Sequence, residues 1–153
     1  MFEITIVALG KIKEKFWRDA FLEYLKRLKP YAKIQITELK ASAFSTANQE
    51  KIKQEEGERL LTYLAHLKHC EIYLLTEKGK NFDSLNFSRK ILKEGKSLCF
   101  VIGGTLGFSA SVLESYPQVS LSPLTFTHEM ARVILLEQIY RGICIKKAKP
   151  YHY

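Results

Sequence analysis

Three stretches of the sequence hold residues whose types and spacing could do chemistry. At 98–109, LCFVIGGTLGFS passes from five apolar residues directly into Gly103, Gly104 and Gly107. Such a run predicts a buried strand ending in a sharp turn beside something that needs close backbone approach: a phosphate, a cofactor, or only the next helix. At 121–126, LSPLTF stands just before His128. Pro123 removes a backbone donor there, which predicts an irregular loop with free carbonyls in place of a regular central strand. The last five residues are KPYHY. A terminus without structural duty is usually small and polar, whereas Tyr151 and His152 are aromatic and titratable.

The glycine turn does not have the dinucleotide-binding pattern, which needs G-x-G-x-x-G after a first strand, nor that of a P-loop, since no Lys and Ser/Thr follow Gly107. The histidines, His66, His69, His128 and His152, form no i, i+4 pair around a carboxylate, so no metal site is expected. Cys70, Cys99 and Cys144 sit singly in apolar segments, as reduced core thiols would. The 24 Lys and Arg against 16 Asp and Glu, a net charge of +8, favour a polyanionic partner such as RNA. Basic residues concentrate at both ends: seven against three acids from Gly10 to Pro30, and four against none from Arg141 to Tyr153.

To position these residues, 153 positions with 46% apolar content call for one domain over 1–153. No apolar stretch approaches a membrane span, and MFEITIVALGK lacks the basic region and cleavage site of a leader, which points to a cytoplasmic protein. Alternation predicts strands at 3–9 and 33–39 with an amphipathic helix between them, stopped by Pro30. The loop 40–48 follows. Thr46 and Gln49 have the spacing of a capping box for a helix running to His69. CEIYLLT (70–76) reads as a strand buried on both faces, EKGKNF as a loop, and 84–94 as a short helix capped by Ser84 and ended by Gly95. A fourth strand at 98–102 and a short helix capped by Ser109 precede LSPLTF. The helix from about His128 to Ile143 is apolar on nearly every face, which predicts a self-associating surface. The alternation implies an α/β fold with a mostly parallel sheet flanked by helices. In such sheets ligands collect at the carboxyl ends of strands, which here are Leu75 with Thr76, Ile102 before the glycines, and LSPLTF.

VIGGTLGFS, SLSPLTFTHEMARVILLEQIYRG and KPYHY, together with EYLKR and KQEEGERLL nearer the start, give the chain a resemblance that covers almost its whole length. It resembles the bacterial large-subunit ribosomal RNA pseudouridine N3-methyltransferases of the RlmH type, members of the SPOUT (trefoil-knot) methyltransferases. The resemblance implies a C-terminal trefoil knot, a homodimer, S-adenosylmethionine as methyl donor, and 23S ribosomal RNA, within the assembled ribosome, as substrate. A non-catalytic RNA- or ribosome-binding protein that retains the fold is the alternative.

Carried over by position, the donor pocket falls on Leu75, Gly103, Gly104, Leu121, Ser122, Pro123, Leu124, Thr125 and Phe126. A sulfonium cation carrying an adenosine calls for apolar walls and backbone groups, without Lys near sulfur. Gly103 and Gly104 would let the backbone touch the ligand where a Cβ would collide. The acceptor nitrogen must lose a proton, so a general base or an environment favouring the anion is needed. His128, Tyr151 and His152 are the candidates, with Arg132 or Arg141 to stabilise charge on the base carbonyls or grip a phosphate. Each has a plain structural alternative. His128 could serve the first turn of its helix, Arg132 could pair with Glu129 or a second subunit's acid, and the tail could be an aromatic clasp. Glu137 is spaced to pair with Arg141 four residues on. Tyr153 stands where tails of that family carry a basic residue.

Overall fold

A computed structural model describes residues 1–43 and 45–153; Phe44, in the expected 40–48 loop, lies outside the described residues. Five strands form one sheet: β1 (Phe2–Leu9), β2 (Ala32–Leu39), β3 (Cys70–Asn81), β4 (Ser97–Ile102) and β5 (Gln118–Ser120). Their order is β2-β1-β4-β3-β5 and every pairing is parallel, which corrects "mostly" to "all". The expected α/β class is therefore present. Parallel strands need crossovers, supplied by α1 (Lys15–Leu28), α2 (Gln49–Leu64), α3 (Ser84–Lys90) and α4 (Ala110–Ser115), and α5 (His128–Lys146) closes the chain.

Alternation along the strands divides the core into two layers. Ile4, Ile6, Leu98, Phe100 and Ile102 face α1, α3 and α5, packing with Phe21, Phe87, Leu135, Leu136 and Ile139. Val7, Leu9, Leu74, Cys99 and Val101 face the other way onto Leu60 and Leu64 of α2 and Val112 of α4. Cys99, buried in the second layer, has its thiol pushed up to about 12 by burial. All three cysteines are free thiols, Cys70 being only half-buried.

Several local expectations are corrected. The loop at 77–82 is largely strand, because β3 continues to Asn81 and pairs with Val119 and Ser120 after a register shift between Leu75 and Lys80. Gly79 makes this possible: a Cβ there would lie 2.7 Å from the Val119 backbone. The capping box at Thr46 does not form. Residues 46–48 are a 3-10 turn whose Ala47 amide donates to Ser45 Oγ, and α2 ends at Leu64, not His69. Asp83 caps α3 in place of Ser84, with its carboxylate accepting from the Asn86 amide at 2.6 Å, and α3 stops at Lys90. Residues 118–120 form a short edge strand just ahead of the irregular LSPLTF segment.

Candidate active site

The three expected strand ends meet at one cleft of about 730 Å³. Leu75 and Thr76 of β3, Ile102 of β4 with the turn 103–108, and the segment after β5 line it together. Of the nine expected donor-pocket positions, Leu75, Gly103, Gly104, Leu121, Ser122, Leu124, Thr125 and Phe126 line the cleft. Pro123 does not. Lys53 and Lys78 also line the cleft.

The glycine turn closes on itself. The Gly107 amide donates to the Gly104 carbonyl at 3.0 Å, and Gly107 has φ +74°, in the left-handed region that glycine adopts without strain. The glycine requirement at 103 and 104 has a protein-side cause that differs from the one expected. A Cβ on Gly103 would press at 3.3 Å on the Phe108 ring, and one on Gly104 would lie 2.7 Å from Glu56 Oε2. The wall is glycine because the protein's own side chains pack behind it.

The 121–126 loop is held by hydroxyls. Ser120 Oγ, buried, donates to the Ser122 carbonyl at 2.8 Å, and Ser122 Oγ accepts from the Leu124 amide at 3.0 Å. That turn leaves Leu124 72% exposed at the cleft. Thr127 then caps α5, accepting from the Met130 amide.

His128, the first residue of α5, lines the cleft, and its cap is Thr127, so local backbone capping is not its duty. Burial, and then the Arg132 guanidinium, hold its imidazole below the ordinary value of 6.5, so it is neutral at physiological pH. An Arg132 Nη2 to His128 Nδ1 contact of 3.4 Å can only have the guanidinium as donor, which leaves the ring proton on Nε2. What His128 then offers is a hydrogen-bond donor.

Arg132 is fully buried and does not pair with Glu129. Nη1 donates to Glu38 Oε1 at 3.0 Å and Nη2 to the Gly10 carbonyl at 2.8 Å, joining the ends of β2 and β1 to α5. The Glu129 carboxylate instead accepts from the Lys13 and Glu14 amides where α1 begins. Arg132 therefore reaches the cleft only through His128.

Tyr151 and His152 are elsewhere in the chain. Tyr151 packs edge-on against Tyr140 at 4.8 Å, under the Arg141 guanidinium, with its hydroxyl 3.4 Å from that of Tyr24. Burial, then that Tyr24 contact and the nearby Glu137, push the Tyr151 phenol well above its usual range. His152 Nδ1 lies 3.4 Å from Arg141 Nη1, and Arg141 pairs with Glu137 at 2.6 Å as its spacing predicted. Arg141 is thirteen residues along α5 from His128, or roughly 20 Å at the helical rise. Within the chain the tail and the cleft are separate.

Lys53, Lys78, Glu38 and Glu56 were not found from the sequence. Only Glu56 left a trace, as a charged residue directly before Gly57 on a helical stripe; its burial depends on tertiary contacts. Among the described residues no cluster of three or more His, Cys, Asp or Glu could hold a metal, and no helix is long and apolar enough to cross a membrane.

An all-parallel sheet in this order, with a ligand-sized cleft walled by irregular backbone at three strand ends, defines an α/β protein with a candidate ligand site at the carboxyl ends of its strands. A family model described as "Predicted SPOUT methyltransferase" matches residues 2–152, and the chain belongs to that family. It is 42% identical over 155 residues to a protein of Kosmotoga olearia named Ribosomal RNA large subunit methyltransferase H, covering 98% of this chain and 99% of that one. A protein of the same name from Enterococcus faecalis is 43% identical over 159 residues, with the same coverage. Among solved structures, the fold is similar to Ribosomal RNA small subunit methyltransferase E from Neisseria gonorrhoeae bound to S-adenosyl methionine. The TM-score is 0.53 at 11% identity, over 90% of this chain and 65% of that one. It is also similar to TrmJ from Z. mobilis, with TM-score 0.53 at 10% identity over 100% and 73% of the two chains.

Proposed function

We propose that this chain methylates N3 of a pseudouridine in large-subunit (23S) ribosomal RNA, with S-adenosylmethionine as donor. One observation carries the reading: Leu75, the Gly103–Gly104 turn and the 121–126 loop enclose a single cleft in a chain that matches its large-subunit methyltransferase relatives end to end. The lining fits the donor. Leucine, phenylalanine and backbone groups suit an adenosine with a thioether chain, and the ammonium groups of Lys53 and Lys78 suit its carboxylate or an RNA phosphate. When bound, the donor supplies an electrophilic methyl group on a sulfonium.

The chain's own residues supply position and electrostatics. The three loops hold the reacting partners collinear and close. His128, neutral and with its proton on Nε2, donates to a carbonyl oxygen of the target base as charge develops there. This favours the anion that N3 must become. Arg132 is a positioning residue that sets the His128 tautomer and never meets substrate.

Tyr151 and His152 reach the chemistry across a homodimer in this reading, their aromatic rings stacking on or positioning the target base. Their separation from His128 in one subunit supports that arrangement. So do the exposed Phe16 and Leu22 on α1 and the half-exposed Val133 and Ile134 on α5, apolar surface that a second copy would cover. The remainder of the reading is a single SPOUT domain over 1–153, knotted in its C-terminal part, acting in the cytoplasm on the assembled ribosome. A domain this small recognises a structured target better than a bare sequence.

Incubation with methyl-labelled donor and ribosomes lacking the modification tests it. Label is expected on one pseudouridine of the large-subunit RNA. Binding of the donor without any incorporation would overturn the enzymatic reading and leave the RNA-binding one.

A further inference from the structure

Glu56 has no role in the chemistry described so far, yet its placement is unusual. It lies in the middle of α2, only 5% exposed. Oε1 accepts from the Ser42 amide at 3.2 Å, and Oε2, fully shielded from solvent, has no hydrogen-bond partner among the described residues. Arg59 is one turn away, but its Nη1 donates to the Lys40 carbonyl at 3.0 Å and to Ser42 Oγ at 3.1 Å, not to the carboxylate. Burial is the main influence on Glu56 and pushes its carboxyl upward, outweighing the Ser42 amide and the Arg59 charge, which pull it down.

The direction in which Oε2 points gives this meaning. It occupies the space that a side chain on Gly104 would need, 2.7 Å from where that Cβ would be. Gly104 lines the donor cleft, so at this point the wall is a single glycine backbone with the carboxylate directly behind it. The approach is enforced one residue later, where a Cβ on Gly57 would lie 2.4 Å from Ser109 Oγ; α2 is pressed onto the end of the glycine turn. A buried carboxylate with one oxygen unpaired among the described residues is costly. A cation entering the cleft beside Gly104 would offset that cost.

We propose that Glu56 is a positioning residue for the methyl donor, a counter-charge behind Gly104 that favours the sulfonium over the neutral thioether left after transfer. It rests on the donor-cleft reading above. The sulfonium loses its positive charge when the methyl group leaves, so the same carboxylate holds the donor and weakens its grip on the product. Donor and product then exchange in the direction turnover requires.

Isothermal titration of the wild-type chain and of Glu56→Gln with S-adenosylmethionine and with S-adenosylhomocysteine tests it. The amide keeps the shape and the acceptor for the Ser42 amide but removes the charge. The donor is expected to bind Glu56→Gln about tenfold more weakly, with product affinity unchanged within about twofold. Equal loss of both ligands, or no change in either, would overturn the counter-charge role while leaving the cleft reading intact. Failure of the wild-type chain to bind either ligand would overturn both. Should Glu56→Gln not fold, the wild-type chain itself decides. The analogue with a protonated amine in place of the methylsulfonium is expected to bind several-fold more tightly than S-adenosylhomocysteine, and equal or weaker binding overturns the proposal.

Discussion

Arg132 donates to Glu38 at 3.0 Å from a side chain with no solvent exposure, while Glu38 keeps about a third of its own surface in water, at 32% exposed. The pair is therefore asymmetric. Removing Glu38 strands a buried guanidinium, whereas removing Arg132 leaves a carboxylate that water can reach. Glu38→Gln is expected to destabilise the chain by about 3 kcal/mol and Arg132→Met by about 2 kcal/mol or less. Urea unfolding of both variants checks the order.

The glycines at the cleft and at the sheet edge fail differently when filled. A valine at 103 presses on the Phe108 ring, a side chain that can shift. Gly103→Val is therefore expected to keep the fold and lose donor binding. At 79 the added Cβ would meet the Val119 backbone, which cannot move without breaking the β3–β5 pairing. Gly79→Ala is expected to lower stability by roughly 1–3 kcal/mol, as overpacking does. Calorimetric titration reads the first and thermal unfolding the second; donor affinity retained in Gly103→Val would make the turn purely structural.

His128 ties stability to pH. Its folded-state value lies below the ordinary 6.5, because burial and Arg132 oppose the imidazolium. Protonation thus favours the unfolded chain. The stability this residue contributes is complete above about pH 6.5 and is lost as pH falls through the folded-state value. Between pH 7.5 and 5 the urea midpoint of the wild type is expected to fall more than that of His128→Asn. Parallel curves would refute it.

The tail separates binding from turnover. Deleting 150–153 removes Tyr151 from its contacts with Tyr140 and Tyr24 but touches nothing that lines the cleft. Turnover on ribosomes is expected to drop at least a hundredfold while donor affinity changes less than about threefold, the pattern of groups lost from the transition state alone. Equal losses in both would assign the tail to folding.

Much of the site was legible in residue order because strand ends are legible. Apolar runs broken by glycine or proline mark where backbone leaves the sheet, and Leu75, Gly103 and Leu121 follow from that rule and from the family likeness. The tail was singled out by composition, and the Glu137–Arg141 pair by helical spacing. The extension of β3 was hidden because EKGK is polar and contains a glycine. Only the close approach of Val119 makes Gly79 a strand residue.

Local order in the chain determined most of the elements and the strand ends where a ligand could sit, since periodicity and turn chemistry act over a few positions, and the family resemblance added which residues could face a methyl donor. Tertiary structure decided partners. Nothing near Arg132 in sequence announces Glu38, ninety-four positions away, or the Gly10 carbonyl. Nothing near Glu56 announces that Gly104 will leave room for its carboxylate. Those pairings arise from burial, which removes water as the default partner and makes each buried polar atom depend on whatever the fold brings beside it.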